Sequence, residues 1–211
     1  MYEQVTVLIL TKNSAATLPA TLASISKFKY VIVLDSFSTD ETVKIAKKHH
    51  CYVVQHRFKN YSAQRQKGIS LCKTNWVFML DSDEQITPDL ELEMNAVVMG
   101  GDFNAMDIPR KNFLLGQWIQ HSGWYPDYQT RLLKIENIIN AEKPVHERFS
   151  VHGYIKKVHP DSNAVILHYT YQNLADYVSK INHQSTLEAE YYAGKDILKT
   201  TKMAIMSRSF G

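Results

Sequence analysis

Asn75-Trp76-Val77-Phe78-Met79-Leu80-Asp81-Ser82-Asp83 is the stretch on which the reading of this chain turns. The run from Asn75 to Leu80 is short, apolar and rich in β-formers, so it predicts a buried strand rather than a helix. A carboxylate pair at the C-terminal end of such a strand projects into the crevice where open α/β sheets bind ligands. Residues i and i+2 of an extended segment point the same way, so Asp81 and Asp83 are expected to face one divalent cation. Hard oxygen donors suit Mg²⁺ or Mn²⁺, and such ions usually arrive carrying phosphate. The competing reading is a solvated turn that caps the next helix. Asp-x-Asp by itself matches many unrelated chains, so its neighbours decide between the two.

On the N-terminal side, Val5–Leu10 predicts a first strand, ended by the polar turn Thr11-Lys12-Asn13-Ser14. Ala16–Lys27 has helical composition, with Leu18, Leu22 and Ile25 spaced for one face. Tyr30–Leu34 reads as a second strand closed by Asp35. Ser38-Thr39-Asp40-Glu41 has the form of a capping box opening a helix that runs to about His49. Tyr52–Val54 is a third short strand, and Tyr61–Ser70 a helix leading back to the Trp76–Leu80 strand. This β-α-β-α-β-α-β order implies right-handed crossovers, a parallel sheet, and ligands at the strand C-termini. Thr11-Lys12-Asn13, Asp35 and Asp81-Ser82-Asp83 then converge on one edge.

After about residue 100 the texture changes. Gly100-Gly101 breaks the chain; Met106–Pro109 and Gln129–Ile135 look like strands of a mixed, partly antiparallel region. Gly116–Pro126 is aromatic and punctuated by glycine, as a functional loop or a hairpin would be. Val165-Ile166-Leu167 is a last strand before His168, and the pattern is helical from Asn173, with Leu174, Tyr177, Val178 and Ile181 on one face.

The 211 residues, 45% hydrophobic and 21% charged, are ordinary for a soluble globular protein with a sizeable core. Cys51 and Cys72 are too few for a disulfide framework and lack metal-site spacing. No apolar run approaches the roughly 18 residues that span a bilayer, and Met1 leads straight into a strand, so neither a membrane span nor a signal peptide is expected. A net charge of +3 and a pI near 8.7 suit an anionic substrate or membrane surface without demanding one. Nucleic-acid binding is not expected, because no dense basic stripe interleaved with aromatics precedes the last few residues.

Val5–Asn13, Val31–Thr42, Gln64–Gly68 and Trp76–Glu84 together resemble the family 2 glycosyltransferases. Gly123-Trp124-Tyr125-Pro126-Asp127, Gln129-Thr130-Arg131-Leu132 and Val145-His146-Glu147 look like the bacterial branch that glycosylates lipopolysaccharide core. The resemblance covers roughly residues 5 to 190. It implies the GT-A fold, an α/β architecture with a Rossmann-like, mainly parallel nucleotide-binding half and a mixed-sheet acceptor half. Residues 1–100 would bind the nucleotide sugar, 101–172 the acceptor within the same domain, and 173–211 form a helical extension.

The resemblance also implies roles. Asp35 matches the position that contacts the nucleotide base or ribose, with Thr11 and Asn13 lining the same pocket. Arg65 and Lys67 match a segment that approaches base or phosphate. Gln66 stands where Asn is common in the family, and Ser14 where Glu is frequent. Asp83 would ligate Mg²⁺ or Mn²⁺, Asp81 would touch ribose or sugar, and His168 resembles a late His that completes the metal site. A cation offsets the charge that grows as a nucleoside diphosphate departs. An inverting transfer needs a base for the acceptor hydroxyl; Glu147 aligns with the usual position, and Asp127 competes from the loop expected near the acceptor. His146 would orient Glu147, Arg131 would hold a phosphate or pair with a carboxylate, and Trp124 would offer a sugar platform or fill core.

The implied activity is transfer of a hexose, glucose first, from a UDP-sugar donor to a glycan or glycolipid acceptor such as lipopolysaccharide core. Two other readings stand beside it: transfer to a polyprenyl phosphate, and an inactive nucleotide-binding module. The stretch from Lys195 to Arg208 reads either as a basic amphipathic helix on an anionic membrane or as a plain docking helix. A cytoplasmic location, with contact to the cytoplasmic face of the inner membrane, is the matching expectation.

Overall fold

The computed structural model describes residues 1–139 and 150–171, together with scattered positions between 174 and 189. Val145-His146-Glu147 and the basic stretch 195–208 lie outside the described residues. The chain divides into two compact units, Met1–Thr170 and Tyr171–Gly211. In the second unit the described positions from Leu174 onward, among them Tyr177 and Val178, are helical.

Strands β1 (Val5–Thr11), β2 (Tyr30–Asp35), β3 (Tyr52–Gln55) and β4 (Trp76–Asp81) lie parallel in the order β3-β2-β1-β4. Helices α1 (Leu18–Ser24), α2 (Thr42–Lys48) and α3 (Tyr61–Ile69) make the crossovers. The strands are continuously apolar because both faces of the sheet are covered. On one face Val5, Val7, Ile9, Val33, Phe78 and Leu80 pack against Leu18, Leu22 and Ile25. On the other, Leu8, Ile32, Leu34, Val77 and Met79 gather with Ile69 of α3. Alternation along β1 thus supplies both layers.

The chain continues through β5 (Glu84–Ile86), α4 (Pro88–Gly100), β6 (Ala105–Leu114), β7 (Gln117–Trp118) and β8 (Asp127–Lys134). It then adds β9 (Ile138–Ile139), β10 (Ser150–Val151), β11 (Ile155–Lys157) and β12 (Ile166–Tyr171). The sheet extends from β4 through β8, β6 and β12 to β5, with β7 and β11 also on β6. β8 runs antiparallel to both β4 and β6, and β5 runs antiparallel to β12. Helix α4 has ordinary terminal chemistry: the Thr87 side chain accepts from the Leu90 N–H, and Gly101 closes the helix in the left-handed conformation.

Three expectations need correction. Ser38 and Glu41 do not form a capping box, because the buried Asp35 carboxylate captures both the N–H and the hydroxyl of Ser38. Asp40 instead accepts the Thr42 N–H at 3.0 Å where α2 begins. His168 lies inside β12 rather than after it, since antiparallel pairing with β5 sets it opposite Glu84. The strand expected over 129–135 spans Asp127–Lys134 and contains a register shift. Met106 faces Leu132 and Asp107 faces Thr130, which leaves Arg131 with no residue opposite it on β6.

Helix α3 touches the sheet most closely at Gly68. A β-carbon there would lie 2.4 Å from Leu8 Cδ2 and 2.5 Å from Cδ1, and Leu8 is buried. Gly68→Ala is expected to lower stability by about 1–3 kcal/mol in urea unfolding. Adding Leu8→Ala should cost less than the two single changes summed; full additivity would show that the contact does not limit the approach of α3.

Candidate active site

The strand register fixes the first part of the site. Thr11 lies opposite Asp35, and Leu10 opposite Asp81, so the ends of β1, β2 and β4 share one edge. Asp35 is fully buried and accepts from the Thr11 hydroxyl at 3.0 Å, the Ser38 N–H at 2.9 Å and hydroxyl, and Gln55 Nε2 at 3.2 Å. Burial alone would raise its pKa, but the donors from Ser38, Gln55 and Thr11 outweigh it and hold the carboxyl below its ordinary value.

Asn13 takes a positive φ of 49°, and its side-chain oxygen accepts the Thr39 N–H at 2.8 Å. Lys12 Nζ donates to the carbonyls of Ser36 and Phe37. Thr11, Lys12 and Asn13 therefore shape the loop around Asp35. Ser14, which stands where the family often has Glu, shares a hydroxyl contact of 2.8 Å with Ser82. Thr21 donates to the Ser82 carbonyl at 3.0 Å, so α1 and its leading loop hold the middle of the Asp81-Ser82-Asp83 turn.

Asp81 and Asp83 turn to different partners. Arg131 Nη2 reaches Asp81 Oδ2 at 2.5 Å and Glu84 Oε1 at 2.8 Å. Arg110 Nη1 reaches Glu84 Oε1 at 2.9 Å, and its Nη2 reaches Asp127 Oδ2 at 2.7 Å. Asn112 Nδ2 donates to Asp127 Oδ2 at 3.1 Å, and Asn112 Oδ1 lies 2.7 Å from His168 Nδ1. His168 Nε2 lies 3.6 Å from Asp83 Oδ1. These contacts close a ring, Asp81–Arg131–Glu84–Arg110–Asp127–Asn112–His168–Asp83, whose two ends are separated in sequence only by Ser82.

Glu84 is the hub of this ring. Its carboxylate is fully buried; one oxygen takes both guanidinium groups and the other accepts the Asp81 N–H at 2.9 Å. Burial opposes the charge on Asp81, yet Arg131, with Arg65 and Arg110, drives its pKa far below the carboxylate range. Asp127 is likewise held below its ordinary value, because Arg110, Asn112 and Gln129 outweigh its burial. Both of its oxygens are engaged, since Gln129 Nε2 donates to Oδ1 at 2.7 Å. Arg65 projects from α3 near the ring of Tyr61, and its charge reaches Asp81. No contact joins Lys67 to these carboxylates among the described residues, and Glu147 lies outside them.

The amide of Asn112 sets the tautomer of His168. Asn112 Nδ2 faces two groups that can only accept, the Asp127 carboxylate and the Trp124 carbonyl at 3.3 Å. Its oxygen must then face His168, whose Nδ1 carries the proton and donates. In neutral His168 this leaves the Nε2 lone pair directed at the Asp83 carboxylate. Two acceptors 3.6 Å apart repel unless a proton or a cation lies between them. A nitrogen and a carboxylate oxygen, with the other ring nitrogen hydrogen-bonded, make a donor set that suits Mn²⁺. Among the described residues no cluster of three or more His, Cys, Asp or Glu forms a complete cation cage. The remaining positions around such an ion would fall to substrate oxygens and water.

Glu84, Arg110 and Asn112 escaped the sequence reading, although a signal was there. Asp127, Gln129 and Arg131 recur at every second position of one strand, as Arg110 and Asn112 do on its neighbour, marking polar faces in a buried sheet. Two outcomes follow. Glu84→Ala is expected to cost about 3–5 kcal/mol in urea unfolding, because it leaves two buried guanidinium groups short of a carboxylate. In the imidazole ¹⁵N spectrum at a pH where His168 is neutral, its proton should sit on Nδ1, and Asn112→Leu should remove that preference; a resonance typical of Nε2–H in the unmodified protein would overturn the assignment.

The model of glycosyl transferase family 2 matches residues 6–157. An uncharacterized glycosyltransferase of Rickettsia felis is 33% identical over 96 residues, which cover 45% of this chain and 34% of that protein. One from Rickettsia typhi is 26% identical over 95% of this chain and 70% of its own length. The lipopolysaccharide core biosynthesis glycosyltransferase LpsC of Rhizobium meliloti is 23% identical over 86% of this chain and 69% of its own. The match thus spans about a third of the Rickettsia felis relative. Among solved structures, S. aureus TarS 1-349 superposes with a TM-score of 0.59 at 16% identity, covering 83% of this chain and 62% of that one. The same protein in complex with UDP-GlcNAc gives 0.60. The fold is GT-A, and the chain belongs to glycosyl transferase family 2.

Proposed function

We propose that this chain carries the donor site of an inverting, metal-dependent glycosyltransferase that moves a hexose from a UDP-sugar to a sugar hydroxyl. The observation that carries this reading is the Asp83–His168 pair, a carboxylate oxygen and an imidazole nitrogen 3.6 Å apart, with the other ring nitrogen held by Asn112. A bound Mn²⁺ or Mg²⁺ would stabilise the negative charge that grows on the departing diphosphate. Asp83 and His168 Nε2 hold it from the protein side. Asp35, kept ionised at a buried strand end, would accept from the nucleoside once Ser38 or Gln55 yields one of its engaged oxygens, and Arg65 and Lys67 of α3 supply positive charge toward the phosphates. Asp81 is turned away from a direct role by Arg131, and acts by shaping the turn that presents Asp83.

For the base, the reading favours Glu147. Asp127, the other candidate, has both oxygens engaged and a lowered pKa, and a carboxylate so stabilised takes up a proton poorly. Donor and acceptor preferences rest on relatives. UDP-GlcNAc is bound by TarS, which supports a UDP-sugar, and lipopolysaccharide core synthesis is the role named for LpsC. Glucose as the sugar, lipopolysaccharide core as the acceptor, and a place at the cytoplasmic face of the inner membrane belong to the proposal on the same footing.

Asp83→Ala is expected to reduce Mn²⁺-dependent turnover of UDP-glucose by on the order of 10²–10³-fold, with UDP binding in the absence of metal largely retained. Glu147→Gln should keep donor binding and lose transfer. Turnover at the unmodified rate in Asp83→Ala would remove the metal assignment.

A further inference from the structure

The net charge of +3 hides an uneven distribution. From Thr42 to Leu80 the chain has eight Lys and Arg residues and no Asp or Glu. The other 16 of its 24 basic residues are outnumbered by the 21 acids elsewhere. This acid-free segment comprises α2, β3 and α3: β3 is the open edge of the sheet, with α2 and α3 packed on its opposite faces. Lys47, Lys48, Arg57 and Lys59 are exposed and pair with no acid among the described residues. Lys44 is held by Glu41 at 2.5 Å.

Exposed rings lie among these charges. Phe58, Tyr61 and Tyr52 are 48%, 58% and 61% exposed. Phe58 sits between Arg57 and Lys59, and packs edge to face on Tyr61 with ring centres 5.1 Å apart. We propose that this β3 edge docks the protein on an anionic lipid bilayer, with Phe58 and Tyr61 entering the headgroup layer and the flanking cations meeting lipid phosphates.

Three other accounts explain less. Lysines on an edge strand discourage strand addition, but that calls for charge and leaves the exposed rings unexplained. Donor phosphates would account for cations at the strand C-termini, where Arg57 and Lys59 follow β3, but leave Lys47 and Lys48, which precede its N-terminal end, unexplained. Single-stranded nucleic acid needs open ring faces on which bases stack, and the edge-to-face pair partly closes that platform. The proposal does not depend on the reading of the donor site: of the eight basic residues only Arg65 and Lys67 are assigned there, and the docking surface rests on Lys47, Lys48, Arg57 and Lys59.

The test is flotation of the full chain with vesicles of phosphatidylcholine alone, and with an equal mixture of phosphatidylcholine and phosphatidylglycerol. Binding is expected only to the anionic vesicles, and it should fall as salt rises. Lys47→Gln with Lys48→Gln, Arg57→Gln with Lys59→Gln, and Phe58→Ser should each weaken binding, the four Gln changes together by at least about tenfold, with circular dichroism unchanged. Absence of binding to anionic vesicles overturns the proposal. So does unweakened binding by the folded four-Gln variant, which would place the contact elsewhere on the chain. Tighter binding to a single-stranded oligonucleotide than to vesicles, lost in the same variant, overturns it in favour of nucleic acid.

Discussion

A single buried carboxylate organises the functional edge of this protein. Glu84 has no solvent to stabilise its charge, so its environment must do so, and two guanidinium groups and a backbone N–H supply the contacts. Desolvating three charges is costly, and an apolar cluster of the same shape would be at least as stable. The benefit is orientation. Arg131 and Arg110, drawn to one oxygen atom, carry their other contacts to Asp81 and Asp127, and from Asp127 the hydrogen bonds continue to Asn112 and His168. A network whose charges alternate from Asp81 to Asp127, continued by hydrogen bonds to His168, fixes each member through its neighbours, as isolated surface ion pairs do not.

Much of this fold was legible in the sequence, and the reasons are local. Val5–Leu10, Tyr30–Leu34 and Trp76–Leu80 are apolar runs bounded by polar turns, and strand length with β-branched content separates them from helices. Their C-terminal residues converge because parallel strands joined by crossovers end on one edge, so Thr11, Asp35 and Asp81 could be grouped without coordinates. The second half was less legible, since antiparallel pairing between distant segments sets its boundaries. His168 was expected beyond its strand because nothing near it in sequence says that β5, some eighty residues earlier, pairs there.

The site was legible in its chemistry and not in its wiring. Period-two geometry suggested that Asp81 and Asp83 face one ion, but β4 ends at Asp81 and the turn at Ser82 separates the two carboxylates. Ser38 looked like a cap because its local pattern fits one; a buried carboxylate three residues earlier was the stronger acceptor. In the sequence Glu84 figures only as the last residue of the stretch Trp76–Glu84, with no role of its own. Short-range patterns carry no information on which of several neighbouring acids a distant arginine will choose.

The register shift in β8 has a consequence for how such a site persists. With Arg131 unopposed on β6, the residues before it and after it follow different alternations, which lets Leu132 and Leu133 both be buried beside a guanidinium that turns to Glu84. Removing one residue there would restore a regular ladder while rotating the guanidinium off its carboxylates. Backbone pairing and side-chain chemistry therefore pull in opposite directions at this position. The irregular strand is retained against the preference of the sheet itself, and its extra residue is as much a part of the site as the acids at the edge.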